Sequence, residues 1–371
     1  MTQTENLKSD IHPAARIEKR RAPINEAALQ NLVGKMVGDL GAVVSGALVV
    51  LGDRLGLYRA LAEVGSADSV KLAGRTGLDE RYVREWLANQ AASGYVNYEP
   101  ESACFSMSAE QKAVFADPDS PVAMTGGFYA AASVYHDEPR VAEAFRTGAG
   151  LAWQDHHNCL FCGTEKFFRP GYAANLVQHW IPALDGVHAK LEAGAQVADI
   201  GCGHGASTII MAKAFPNSKF TGFDLHPGSI DRARQCAREG GLANVTFATA
   251  SAKEFPGRYD FITTFDALHD MGDPVGAAAH TRASLEADGA WMVVEPLAGN
   301  CLEENLNPVG RVYYGFSTMV CTPNSRSQEI GLALGAQAGE RRLREVMEEA
   351  GFRQFRRAAQ TPFNFVLEAK P

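Results

Sequence analysis

The sequence predicts an α/β protein, with a seven-stranded, doubly wound, Rossmann-like sheet preceded by a mostly helical N-terminal domain of winged-helix type. Three observations lead there. After residue 184, short apolar runs at 197–200, 219–224, 245–248, 259–265 and 290–295 alternate with helical spacings, the order expected of βαβ units and a parallel sheet. The stretch from Val197 to Ser207 runs through Asp199 to three alternating glycines, Gly201, Gly203 and Gly205, and then opens a helical pattern at Ile209, Ile210 and Met211. It reads as a buried strand, a tight turn and a helix N-terminus. Residues 66–96 carry helix, turn, helix and wing in that order.

From the N-terminus, residues 1–24 are polar, with Lys19, Arg20 and Arg21 ahead of Pro23, and read as a flexible arm. A domain over 25–183 follows. Its first part, 25–61, places Leu29, Leu32, Val33, Met36, Val37 and Leu40 at helical spacing among Gly38, Gly41 and Ala42, which predicts an apolar helix buried in a core or a dimer interface. In the winged helix, Asp79 can cap a second helix whose apolar face is Tyr82, Val83, Trp86 and Leu87. That helix balances Glu80 and Glu85 against Arg81 and Arg84, so it would read a DNA major groove poorly; a dimer-forming role is expected instead. Residues 121–184 are rich in aromatics, among them Phe128, Trp153 and Tyr172, placed as candidate pocket-lining side chains. The second domain, 184–371, closes with runs at 352–357 and 363–369 that predict an antiparallel hairpin at one sheet edge.

Composition narrows the classes. The net charge of −8 disfavours a phosphate-binding surface, so no nucleic-acid partner is expected. No uninterrupted run of about 18 apolar residues occurs, so no membrane span is expected. Seven scattered cysteines suit reduced thiols and a cytoplasmic location. Cys159 and Cys162, just after His156 and His157, lack the second ligand pair a zinc site needs, and are expected to be plain thiols; no metal is expected.

Glycines let the turn take positive φ and let a ligand approach the backbone. Asp224 follows Asp199 by 25 residues, at the end of the next strand-like run, where an acid can bind ribose hydroxyls. A nicotinamide-binding unit or a plain glycine turn stays open on spacing alone. The combination Asp199-x-Gly201-x-Gly203-x-Gly205 with Asp224 resembles class I S-adenosylmethionine-dependent methyltransferases. That resemblance implies S-adenosylmethionine as cofactor, S-adenosylhomocysteine as product, and a cofactor site of Asp199, Gly201, Gly203, Gly205, Asp224, Leu225, Ser251, Ala252, Phe265 and Asp266.

Strand four ends at Leu268-His269-Asp270 and strand five at Val294-Glu295-Pro296, and Glu340 stands twelve positions before Phe352 of Ala350-Gly351-Phe352. This order is similar to the winged-helix small-molecule O-methyltransferases, whose bacterial members are relatives of the plant phenylpropanoid and flavonoid enzymes. The resemblance implies His269 as general base, with Glu295 and Glu340 orienting its ring. It also implies a small, aromatic or polyketide-like acceptor and a homodimer built on the N-terminal domain. Physically, histidine titrates near neutrality and suits proton removal from a hydroxyl, and a carboxylate on the far ring nitrogen fixes the tautomer. The long segment 297–338 reads as a lid, with Tyr313, Phe316 and Met319 as further acceptor-lining candidates. Two alternatives stay open: a C- or N-methyltransferase of this fold, with a metal held by His269 and its neighbours, and a winged-helix DNA-binding regulator that senses a metabolite.

Overall fold

The computed structural model describes residues 23–371, so all but the end of the expected arm lies outside the described residues. The described residues divide into two units, one ending at Val44 and one spanning Ser45–Pro371. The expected boundary at 183–184 falls inside the second unit, which holds both the winged helix and the large sheet.

The helix Glu26–Arg54 crosses from one unit to the other. Leu32, Met36, Val37 and Leu40 are each more than half exposed along it. By length and composition alone it is long and apolar enough to cross a membrane, with a mean hydropathy of 1.6. The expectation of no such span counted only uninterrupted apolar residues. Gly34, Gly38, Gly41 and Ser45 dilute the run without adding charge.

Capping and packing explain the winged helix. Asp68 accepts from the Lys71 amide at the start of the helix Ser69–Thr76, and Asp79 accepts from Arg81 and Tyr82 at the start of Glu80–Ala92. Each satisfies amides that a helix N-terminus leaves orphaned. Between them Gly77 takes φ +69° to end the first helix. Val83, Trp86 and Leu87 meet Leu61 and Leu72 in one core. Tyr82, expected on that buried face, is 79% exposed; third residue of the helix and one turn before Trp86, it stands at the end of that face and takes no part in the core. The short strands β1 (Ser66–Ala67), β2 (Asn97–Glu99) and β3 (Cys104–Ser106) form the wing in the order β1-β3-β2.

The large sheet comprises β4 (Gln196–Ile200), β5 (Lys219–Asp224), β6 (Val245–Thr249), β7 (Tyr259–Phe265), β8 (Leu285–Pro296), β9 (Gln354–Gln360) and β10 (Asn364–Lys370), in the order β6-β5-β4-β7-β8-β10-β9. All neighbours from β6 to β8 are parallel; β10 runs antiparallel to β8 and β9. Both faces are covered. Along β8, Ala290, Met292 and Val294 enter one core and Trp291 and Val293 the other, the two-residue alternation of a strand. Strand order reverses at β4, which has β5 on one side and β7 on the other, so a crevice opens over its carboxyl end.

The helix Cys159–Asn175 stands at this crevice, and the helix Thr125–Thr147 packs against it. They approach through glycine. A Cβ on Gly126 would come within 2.3 Å of the Phe167 nitrogen, and one on Gly163 within 2.4 Å of the Ala130 nitrogen. No other residue fits there without separating the pair.

Candidate functional site

The glycine turn after β4 takes the geometry that its residues allow. Gly201, Gly203 and Gly205 have φ of +73°, +51° and +80°, values that L side chains resist. The Gly201 and Cys202 amides donate to the Phe223 carbonyl at 2.8 and 3.0 Å, and the Gly203 amide donates to Asp224 Oδ2 at 2.9 Å. Asp224 therefore spans the turn and the start of the next loop, where its Oδ1 accepts from the His226 amide. Burial raises its pKa, and those amide bonds work against the rise.

A cavity of about 720 Å³ opens over this turn. Of the expected cofactor residues, Gly201, Gly203, Asp224, Leu225, Ser251, Ala252, Phe265 and Asp266 line it. Asp199 and Gly205 do not. The Asp199 carboxylate is buried among the hydroxyls of Ser207, Thr208 and Thr263 at 2.6–3.0 Å, so it ties the helix N-terminus to β4 and β7 from behind. Gly205 lies against Phe247 and Ala233. Both support the turn rather than face a ligand.

Of the expected acceptor residues, Trp153 and Tyr172 line the cavity and four others do not. Phe128 joins the winged-helix core beside Gly46. Tyr313 is buried with its hydroxyl on the Phe363 carbonyl. Phe316 and Met319 sit in a small apolar cluster with Leu160 and Val320. Aromatic type alone does not separate a pocket wall from core.

The catalytic expectation changes most. Glu295, buried at the end of β8, bonds His269 Nδ1 with one oxygen and accepts from the Leu268 amide with the other. This part of the expected arrangement is present. Glu340 is elsewhere engaged: Arg344 and Arg357 hold it at 3.2 and 2.8 Å. Spacing in the sequence gave it no defined partner, and two guanidiniums claim it. The second acid at the ring is Asp270, whose Oδ1 lies 3.2 Å from His269 Nε2, with the Cys321 thiol also beside the ring. Burial works against a charged ring, but the facing carboxylates of Glu295 and Asp270 outweigh it and hold the His269 pKa well above its ordinary range. His269 does not line the cavity; Asp270 does. His269, Asp270 and Cys321 also bring ligand-type atoms within 4.8 Å of one another, a donor set small enough for a metal ion.

The cavity has further walls beyond the expected site residues. His204 Nδ1 meets Glu165 at 2.8 Å, and both line the cavity with Phe161, Asn324, Ser327 and Gln328. Asp266 holds φ +48° and is pinned by the Tyr172 hydroxyl and the Asn364 amide. Burial, with Glu295 nearby, pushes its pKa to about 7. These pairs join residues 39 to 98 positions apart, and no local signal marks them.

Family models agree with the geometry. A methyltransferase domain matches residues 191–351, and an Rv2258c-like winged HTH domain matches residues 43–116. The ubiquinone biosynthesis O-methyltransferase of Leptothrix cholodnii is 30% identical over 154 residues, 40% of this chain and 63% of that protein. The chain spans 5% to 63% of the length of the curated relatives it first matches. Among solved structures, mitomycin 7-O-methyltransferase MmcR aligns over 94% of this chain and 100% of its own, at 19% identity and a TM-score of 0.66. CalO1, a methyltransferase in calicheamicin biosynthesis solved in its SAH-bound form, aligns over 94% and 100% at 18% identity and a TM-score of 0.64. At these identities the two structures share the fold.

Proposed function

We propose that this chain, which carries a methyltransferase domain and an Rv2258c-like winged helix-turn-helix domain, moves a methyl group from S-adenosylmethionine to a hydroxyl of a small, aromatic or polyketide-like molecule. One observation carries the reading. The positive-φ glycine turn, Asp224 and Asp270 line a single cavity at the point where strand order reverses. The residues fit the cofactor: a Cβ at Gly203 would meet open space, and the buried Asp224 carboxylate offers lone pairs beside it for ribose hydroxyls. S-adenosylmethionine, when bound, supplies an electrophilic methyl group. The turn and Asp224 hold the nucleoside, with Leu225, Ser251 and Ala252 as its further wall. Trp153, Phe161 and Phe168 give the cavity a flat, apolar side suited to an aromatic acceptor. Asp270 presents its carboxylate at this side, and His269, clamped between Glu295 and Asp270, fixes that carboxylate in place.

Isothermal calorimetry with S-adenosylhomocysteine tests the assignment. Asp224→Ala is expected to weaken binding by about 1.5–3 kcal/mol through loss of a charged hydrogen-bonding partner. No binding by the unaltered protein, or equal binding by the folded variant, overturns the cofactor site.

The same reading includes a homodimer through the N-terminal helices. The apolar surface of Glu26–Arg54 exceeds the scattered exposure normal for a monomer, and its glycines permit close helix contact. Light scattering in detergent-free buffer is expected to give twice the chain mass. A monomer at micromolar concentration ends the dimer reading, and recovery only with detergent or membranes assigns the helix to a bilayer.

A further inference from the structure

We infer that His269, Asp270 and Cys321 form a binding site for a thiophilic divalent cation, zinc above all, and that an ion seated there blocks methyl transfer by occupying the ring that the resemblance implies as general base. The block rests on the methyltransferase reading; the site rests on the side chains alone.

Three ligand atoms of suitable kinds meet. Asp270 Oδ1 lies 3.2 Å from His269 Nε2, and a ring nitrogen, a carboxylate oxygen and the Cys321 thiol all lie within 4.8 Å of one another. Zinc bonds nitrogen and oxygen at about 2.0–2.2 Å and sulfur at about 2.3 Å, in a tetrahedron. Those lengths put the nitrogen and oxygen about 3.3 Å apart and the sulfur about 3.6 Å from each. The first spacing is already present, and the second asks for a small rotation of the thiol. Among the described residues this is the one group of three or more His, Cys, Asp or Glu gathered so closely. Spacing argues against zinc at Cys159 and Cys162, and says nothing of a set assembled from the loop after β7 and the segment 317–321.

The contact between the ring and Asp270 is not a hydrogen bond. Asp270 Oδ1 is buried and has no hydrogen-bond partner, although the ring nitrogen stands beside it. A buried polar atom without a partner is costly and rare in a folded protein. One cation between nitrogen and oxygen serves both. On the far side of the ring, Nδ1 meets Glu295, whose other oxygen accepts from the Leu268 amide. A carboxylate in that place is the usual companion of a metal-bound histidine, because it fixes the tautomer whose lone pair faces the ion.

The third ligand is held in place by its own segment. Cys321 ends the π-helical turn Ser317–Cys321, a local widening frequent at functional sites. In the helix that follows, Thr322–Arg326, Asn324 Nδ2 donates to the Asp270 carbonyl at 3.3 Å and Ser325 Oγ to the Met271 carbonyl at 2.9 Å. The thiol's segment is thereby fastened to the loop that carries the other two ligands, so little ordering is left for the ion to impose. Asp270 lines the cavity, which gives the ion an entry and water as a fourth ligand.

Charge and softness select the ion. A thiolate and the Asp270 carboxylate together cancel a double positive charge. Sulfur favours zinc over magnesium and calcium, which take oxygen. On binding, the thiol proton and the proton on Nε2 pass to water. In the metal-free protein the ring stays open to proton transfer; with the ion seated, its lone pair is engaged.

Cobalt(II) and zinc titrations of the full chain, reduced and stripped with a chelator, test the site. One equivalent of cobalt is expected to give a near-ultraviolet thiolate-to-cobalt band and the visible bands of a four-coordinate ion, and zinc to abolish both. Cys321→Ser should lose the thiolate band, and the double variant Cys159→Ser, Cys162→Ser should keep it. No thiolate band in the unaltered chain, or one that survives in folded Cys321→Ser, overturns the proposal. Where Cys321→Ser does not fold, zinc-edge X-ray absorption of the unaltered chain decides: one sulfur among lighter ligands supports the site, and two sulfurs or none overturns it. Zinc is expected to leave S-adenosylhomocysteine affinity within threefold. Methyl transfer from labelled S-adenosylmethionine to a panel of hydroxylated aromatics should fall by about tenfold or more with one equivalent of zinc and return with chelator. Turnover unchanged by bound zinc overturns the block. If the unaltered chain does not bind S-adenosylhomocysteine, the methyltransferase reading fails, and the cobalt spectra still decide the site.

Discussion

Replacing Glu295 with alanine is expected to lower the unfolding free energy at pH 7 by about 3–5 kcal/mol, the usual cost of removing one partner from a buried ion pair. The argument is local. Glu295 is 1% exposed and serves two groups that have no access to water, the His269 ring and the Leu268 amide. Alanine leaves a buried imidazolium facing only Asp270 and an amide with no acceptor. The pH dependence has a definite sign. The folded His269 pKa is raised, so the pair's stabilisation is complete below the unfolded value of about 6.5 and is lost as pH rises through the folded one. The gap between the two proteins should therefore narrow in alkali. Urea titrations at pH 6, 7 and 9 check it. A gap under about 1 kcal/mol at pH 6 would show that the pair carries little of the loop's stability.

Gly201→Val should remove measurable affinity for S-adenosylhomocysteine. At φ +73° a non-glycine residue costs about 1–2 kcal/mol. A Cβ at this position would stand 2.9 Å from the Ala267 side chain on the neighbouring strand end, and crowding of this kind adds about 1–3 kcal/mol. The turn can relieve both only by shifting the Gly201 and Cys202 amides off the Phe223 carbonyl, which carries the cavity floor with them. A loss of about 100-fold or more follows at 1.4 kcal/mol per tenfold. Calorimetry within threefold of normal for a folded Gly201→Val variant would mean that the cofactor does not rest on this turn.

What the sequence made legible was local. The strand, turn and helix around Val197–Ser207, the acid Asp224 at the next strand end, and the terminal hairpin are each written in a few adjacent residues, and the fold places them as read. Glu295 and His269 were legible as well, because two neighbouring strand ends must share an edge. The rest depends on which side chains meet across the molecule. Glu340 has the right residue type, yet Arg344 one turn on and Arg357 on β9 claim it. His156 lay beside Cys159 and Cys162 and drew attention only as a metal ligand, since its partner Asp137 stands 19 positions earlier on another helix. Phe128 and Met319 are aromatic or soft like any pocket residue, and packing assigned them to core.

The segments at Leu151–Trp153 and Pro323–Ser327 are joined backbone to backbone. The Leu151 amide donates to the Pro323 carbonyl at 2.9 Å, the Trp153 amide to Asn324 Oδ1 at 3.1 Å, and a Cβ on Gly150 would collide with the Ser327 nitrogen at 2.0 Å. Asn324 and Gln328 are tied in turn to the Asp270 carbonyl, and Gln328 also accepts from the Gly272 amide. These bonds brace the two segments and the loop after β7 against one another, so a shift in any one of them strains the bonds of the other two.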